Sequence, residues 1–461
     1  MASIGLRHSP APIDAGPHAD EAGPALWDAD DLERRLCRAL DLARQTLRLF
    51  AAEGHVNADT PALSFGPEKP VAETAMLLYA ASACRHRPAV ARRVDELVQL
   101  LVPHARSQRA LVDMALHPAM AFKVALPHVL LTRLGCPDAA FDRLLATCAA
   151  QALQDGHDRP PSARMERAWV SGLWSGASAR VPWRRDARQS VLHRPIDLLG
   201  GLRDDAYAFT HLMFYCTDFG HGTPSLPRAR SSILAQAQCM LARYLDVEDY
   251  DLSAELLLAW PFTSAPWTAT AAFAFRLLAS VEDQVGLLPC GNVDLARLSR
   301  LQGDERERYA LATGYHTAYV MGLLCAAALR PGRAPPTRMP GRRHRAAVLQ
   351  ALRPHAADDR GHWQPEFDAL PPDEQLALVP FMLDLAIVHR SRQRDYPALI
   401  AVLDIARRAG LAGSPMAKQA GDLLQRIAGC AVALGGGAGE PGRAGAKSRA
   451  GALAEAHGAH A

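Results

Sequence analysis

The segment YAFTHLMFYCTD, residues 207–218, is apolar enough to be buried, yet it carries Tyr207, His211, Tyr215 and Asp218 at intervals of four, four and three. On a helix of 3.6 residues per turn, Asp204, Tyr207, His211, Tyr215 and Asp218 fall within an arc of roughly 80°. Phe209, Met213 and Cys216 lie behind that arc. A solvent-facing helix side is usually wide and furnished with Lys, Arg and Glu, whereas residues 204–218 contain neither Lys nor Arg. A narrow stripe of imidazole, phenol and carboxylate suits the wall of a polar cavity. Its chemistry would be general acid/base catalysis, because imidazole exchanges protons near neutral pH and a carboxylate beside it tunes that exchange.

Two other segments share this character. In YDLSAELLLAWPF (250–262), Glu255 is the carboxylate inside an apolar run, while Asp251 reads as a first-turn acid opposing the helix macrodipole. In YALATGYHTAYVMGLLCAAAL (309–329), Tyr309, Thr313, His316 and Tyr319 cluster on one side. The candidate catalytic residues are therefore His211 as proton carrier, Tyr215 and Asp218 to orient it, and Glu255 and His316 from neighbouring helices. Asp204, Tyr207, Tyr309 and Tyr319 are candidate substrate-binding residues. Asn292, in the turn VGLLPCGNVDLARL, joins them as a rim residue, although a helix cap explains Asn292 and Asp294 more economically. Glu73 and Asp384 are isolated acids expected to cap, pair or face solvent, and Glu166 with Trp169 and Trp174 reads as a core or rim group.

The competing explanation is a satisfied buried polar network that fixes helix packing. Two histidines and a carboxylate can also bind iron or zinc. Here they would come from three separated helices with no H-x-x-x-H or H-x-D pair, so the sequence assigns no metal ligand and names no cofactor.

These stripes need helices to carry them. DLERRLCRALDLARQTLRLFAAEG begins after Asp30 and stops at Gly54, with Leu32, Leu36, Leu40, Ala43 and Leu47 on one face. The same periodicity recurs to residue 433 in about fifteen segments, and strand-like alternation is hardly visible. The pattern predicts an all-α chain, either an α/α toroid-like array around a central cavity or an open α-solenoid. Residues 1–25 and the Gly/Ala-rich 434–461 are expected to be disordered. Residues 26–330 form the expected main helical domain, and PGRAPPTRMPGR (331–342) separates it from a C-terminal helical section, 331–433.

Composition narrows the function. Hydrophobic residues at 49% and charged residues at 21% match an ordinary folded protein. The net charge of +3 is spread over alternating acids and bases, so no nucleic-acid surface is expected. Nine cysteines without a C-x-x-C pair read as small buried hydrophobes in a reducing cytoplasm. No apolar stretch of membrane-spanning length occurs, so no membrane partner is expected. The G-x-G-x-x-G, Walker, G-x-S-x-G and H-E-x-x-H patterns are absent, which removes most nucleotide-dependent and common hydrolase chemistry.

At THLMFYCTDFG (210–220), YDLSAELLLAW (250–260) and YHTAYVMGLL (315–324), the chain resembles an uncharacterised bacterial all-helical family with a T-H-x-x-F-Y-x-T-D-F-G motif. That resemblance implies a likeness to α/α-toroid proteins, the architecture of terpene cyclases and several glycan-processing enzymes. It brings no established activity. The acids of DVEDYD (246–251) depart from the cyclase D-x-D-D spacing. The resemblance highlights Thr210, His211, Tyr215, Asp218 and Gly220. The resulting expectation is a cytosolic enzyme of bacterial specialised metabolism, of lyase, cyclase or hydrolase type, acting on a small-molecule or peptide substrate. The alternative is a helical-repeat scaffold or regulator that binds a protein partner.

Overall fold

A computed structural model describes residues 26–57, 60–151, 159–176, 184–222, 226–291, 293–356 and 363–433. Among these residues the regular structure is helical throughout, as the 3.6-residue periodicity predicts. The first half contains α1 (Ala29–Phe50), α2 (Glu68–Ala81), α3 (Pro88–Ala105), α4 (Gln108–Leu116), α5 (Ala121–Val124), α6 (Leu126–Arg133), α7 (Ala139–Gln151), α8 (Pro161–Ser175) and α9 (Arg184–Arg188). Then come α10 (Arg203–Thr217), α11 (Arg230–Asp246), α12 (Tyr250–Leu257), α13 (Ala259–Thr263), α14 (Ala269–Val285), α15 (Leu295–Arg300) and α16 (Gly303–Ala328). The C-terminal part holds α17 (Ala346–Ala356), α18 (Gln364–Asp368), α19 (Pro372–Ala377), α20 (Val379–Arg392), α21 (Tyr396–Arg408) and α22 (Pro415–Ala433). The expected disordered ends, 1–25 and 434–461, lie outside the described residues, and Leu26, the first described residue, pairs with Pro336.

Three expected helices are broken where proline removes a backbone donor. Pro127 begins α6 after the short α5, Pro261 lies in α13 just after α12, and Pro380 opens α20 after α19. The caps follow local chemistry. Asp28, Ser107, Asp249, Thr268, Asp294 and Asp395 each accept an amide hydrogen bond at a helix start. Gly176 and Gly286 end α8 and α14 in the left-handed conformation that costs glycine least.

Packing follows a circuit. α16 lies on α2, α2 on α6, α6 on α8, α8 on α10, α10 on α12, and α12 returns to α16. Outside it, α1 packs on α2, α3 and α16, while α11 and α14 pack on α12. Close approach of α16 to its neighbours depends on Gly322, where a Cβ would sit 2.6 Å from Ala39 Cβ and 3.0 Å from Leu77 Cδ1. Arg35 ties α1 to α14: buried, it reaches Asp31 at 2.9 Å, Glu282 at 2.5 Å and Asp283 at 2.6 Å. Such a buried cation needs its carboxylates, since taking a lone charge out of water costs several kcal/mol or more.

The C-terminal helices close onto α11 and α14. α20 and α22 pack on α11, and His389 Nε2 meets Asp246 Oδ2 at 2.8 Å. Phe273 of α14 crosses Phe381 and Phe367 edge to face at 5.3 and 6.3 Å. Of the three expectations for Asp384, to cap, pair or face solvent, the structure shows pairing, with the Cys239 side chain. It is buried, its Oδ1 has no hydrogen-bond partner, and burial pushes its carboxyl up to about 7 against the effect of Cys239.

That environment carries a pH prediction. A folded-state value above the ordinary carboxyl value of 3.8 means the folded state keeps the proton longer. Stability from this group is complete below about pH 4 and is lost as pH rises through 7, by up to about 4 kcal/mol. Urea midpoints measured from pH 4.5 to 8 should fall less steeply in Asp384→Asn than in the wild type. Parallel profiles would show that Asp384 does not titrate in this range.

Candidate functional site

The stripe of α10 faces α12, where Asp251 and Glu255 stand one turn apart on the same side. Tyr207 donates its hydroxyl to Asp251 Oδ2 at 2.5 Å, and Thr210 donates to Glu255 Oε2 at 2.5 Å. His211 Nε2 lies 3.7 Å from Glu255 Oε1. From α16, His316 points its Nε2 at the same pair, 3.4 Å from Asp251 Oδ1 and 3.8 Å from Glu255 Oε1. Its Nδ1 lies 3.1 Å from Glu73 Oε1 on α2, and Lys69 stands 3.9 Å from that same oxygen. Four helices of the circuit thus bring two imidazoles and three carboxylates together.

Their burial is graded. The Glu255 and Asp251 side chains are 1% and 9% exposed and Glu73 is 17% exposed, whereas His211 and His316 keep 44% and 30%. The carboxylates form the floor, and the imidazoles sit between them and solvent. Charge must balance in such a place, because an unpaired buried ion is expensive. Burial alone would lower both histidines, but Glu255 raises His211, and Glu73 with Asp251 pushes His316 up to about 10. Burial likewise works to raise Glu255 and Glu73, yet His211 and His316 hold the first below the usual carboxyl range and His316 holds the second there. Asp251 goes the other way, raised by burial and by its neighbour Glu255, although His316 opposes this.

Other residues singled out by the sequence have different partners. Asp218 is not on the α10 stripe: the helix ends at Thr217, and Asp218, Phe219 and Gly220 follow with φ of 51°, 50° and 76°. Its carboxylate accepts hydrogen bonds from Tyr79 at 3.1 Å and from Trp169 at 2.8 Å, so it braces α2 and α8 rather than orienting His211. Two consecutive non-glycine residues in the left-handed region are costly and need this kind of support. Tyr215 stacks on Trp169 at 5.3 Å, and burial followed by the charge of Glu166 holds its phenol far above the ordinary value.

Asp204 is exposed in the first turn of α10, away from the cluster. Tyr309 accepts the Asp294 amide at 3.2 Å, which fixes the segment before α15. Tyr319 is buried and shares a hydrogen bond with Thr74 at 3.0 Å, joining α16 to α2. Asn292 lies outside the described residues. Burial lifts the Cys216 thiol to about 12, which leaves it protonated and unsuited to nucleophilic attack.

Glu73, Asp251 and Glu166 are the groups that sequence reading left aside. Glu73 carries the same signal as Glu255, a lone carboxylate in an apolar run, but a cap, a pair or a solvent-facing position explained it locally. Asp251 is concealed by its first-turn position, where an acid has an ordinary explanation. Glu166 lies two residues after Arg164 and directly before Arg167, which gives it the look of a solvated face. In the folded chain burial raises its carboxyl, with Lys123, His211 and Tyr215 opposing.

One set of atoms has the spacing of a cation site: ligand atoms of Asp251, Glu255 and His316 all lie within 4.8 Å of one another. Nitrogen and carboxylate oxygen without thiolate suit first-row divalent ions.

Fold and site together define an all-α protein with a graded imidazole–carboxylate cluster at the meeting of four helices. The chain belongs to the family of a domain of unknown function, DUF6895, whose model matches residues 36–326 and so includes the whole cluster. No curated protein and no solved structure matches it. Among the described residues no helix is long and apolar enough to cross a membrane.

Proposed function

We propose that this protein is an enzyme that moves protons on a small organic or peptide-derived substrate, with His211 as the proton carrier. The observation that carries this reading is the pairing of a 44% exposed imidazole with a carboxylate 1% exposed and 3.7 Å away. A packing network has no need to keep its histidines accessible above a buried anion. Glu255 favours the imidazolium, so His211 can donate to a developing oxyanion or leaving group and recover the proton afterwards. Glu166 and Tyr215 border the same imidazole and supply groups for holding a polar substrate. The packing circuit from α16 through α2, α6, α8, α10 and α12 supports a toroid-like arrangement around this cluster. A lyase, cyclase or hydrolase reaction in the cytoplasm, within a specialised biosynthetic route, is the activity we assign to it.

The alternative, a scaffold for a protein partner, draws on Val112 and Leu116, exposed apolar residues one turn apart on α4. One genetic experiment separates the two. The gene is deleted in its natural host and complemented with wild type or with His211→Ala, and extracts are compared by mass spectrometry. We expect a metabolite that disappears on deletion to return with wild type only, and its precursor to accumulate with the variant. Equal rescue by a folded His211→Ala protein would reject His211 as the proton carrier and favour the scaffold reading.

A further inference from the structure

We infer that Asp251, Glu255 and His316 form a binding site for one first-row divalent metal ion, such as zinc, manganese or iron(II). This rests on the acid/base reading above only for its purpose, and the geometry supports it separately.

Two of the three side chains have one oxygen held from behind by a hydrogen bond, and the third, His316, has a carboxylate beside its Nδ1 at ion-pair distance without hydrogen-bond geometry. Tyr207 holds Asp251 Oδ2 at 2.5 Å, which leaves Oδ1. Thr210 holds Glu255 Oε2 at 2.5 Å, which leaves Oε1. Glu73 lies 3.1 Å from His316 Nδ1, which leaves Nε2. Outer partners that fix a ligand's orientation in this way are the usual accompaniment of metal sites, and a carboxylate behind a histidine is the commonest of them.

The three remaining atoms converge. Nε2 is 3.4 Å from Oδ1 and 3.8 Å from Oε1. Ligands bound at about 2.0–2.2 Å in tetrahedral or octahedral geometry stand roughly 3.0–3.5 Å apart, so the set, whose atoms all lie within 4.8 Å of one another, closes around an ion by an inward movement of the two carboxylates. Asp251 supplies the second observation: its side chain is 9% exposed, and its Oδ1 accepts no hydrogen bond although buried. A desolvated carboxylate oxygen in that condition is stabilised by a cation. Ligands from two helices leave coordination positions open toward the exposed imidazole of His211, where a water or a substrate oxygen would sit. The metal would polarise that oxygen, and His211 would handle its proton.

The test is a binding measurement on the full-length chain. Protein stripped with a chelator is titrated calorimetrically with Zn²⁺, Mn²⁺, Co²⁺ and, without oxygen, Fe²⁺, and Co²⁺ binding is followed by its visible absorption. We expect one equivalent bound with a Kd of micromolar or tighter for at least one ion. Asp251→Asn and His316→Ala should weaken it at least 100-fold, and Glu73→Gln by about 10–100-fold. His211→Ala should leave it within a few fold. Circular dichroism verifies that each variant is folded, and Glu255→Gln gives a second ligand substitution should Asp251→Asn be unstable.

Absence of a saturable site, or equal affinity in the folded ligand variants, would overturn the proposal. Metal-free protein that restores the metabolite in full would also overturn it and leave the acid/base enzyme standing. A tightly bound ion together with full rescue by His211→Ala would uphold the site and reject His211 as the proton carrier.

Discussion

Glu255→Gln should lower turnover of the metabolite pair identified by complementation by about 10²–10⁴-fold, the range typical of losing a positioned acid/base group. Glu255 is approached by both imidazoles, His211 at 3.7 Å and His316 at 3.8 Å, and it is almost wholly buried beneath them. Glutamine keeps the shape and can still accept the Thr210 hydrogen bond at its amide oxygen, so folding should be nearly unaffected. What it removes is the negative charge that raises His211. The loss should appear in kcat more than in KM, because the imidazolium is stabilised for the chemical step rather than for holding substrate. Steady-state kinetics on the purified variant checks this, and a kcat within threefold of wild type would remove Glu255 from the chemistry.

The largest effect on stability is expected at Phe273. Its ring is fully buried on α14 and crosses Phe381 of α20 and Phe367 of α18, so it joins the body of the protein to the C-terminal helices. Phe273→Ala leaves a cavity that three packed elements must collapse to fill. The cost should be about 3–5 kcal/mol by urea unfolding, from reduced burial plus unfilled volume. Limited proteolysis should first cut within residues 331–433, because the Phe273 ring is what seats α18 and α20 of that section against α14. Uniform loosening across the chain would instead mean that the packing of α20 and α22 on α11, with the Asp246–His389 pair, is what holds this section in place.

The helices were legible because each needs an apolar face and most have a cap or a proline that marks an end. Their interruptions at Pro127, Pro261 and Pro380 were not read, because the apolar spacing runs on around each proline and a proline sits in a first helical turn as readily as it ends a helix. Short elements such as α4 and α18 were also missed, since so few turns leave too little periodicity to distinguish from a loop.

In the site, Tyr207, His211, Glu255 and His316 could be found because a polar group inside an apolar run has no local reason to be there. Asp251 and Glu73 had local explanations available, and only the fold reveals the histidine that each faces. Asp218 failed for a different reason. A helical wheel assumes that the helix continues, and the chain turns left-handed at that residue, so the projected direction does not apply.

The circuit of helices begins with α2 and closes with α16, and the pairing of Glu73 with His316 joins its two ends. A ribosome delivers the first partner long before the second, so no shorter nascent chain can hold the complete cluster. Competence would therefore arrive in a single late event during synthesis, and fragments ending before α16 should be inert rather than weakly active.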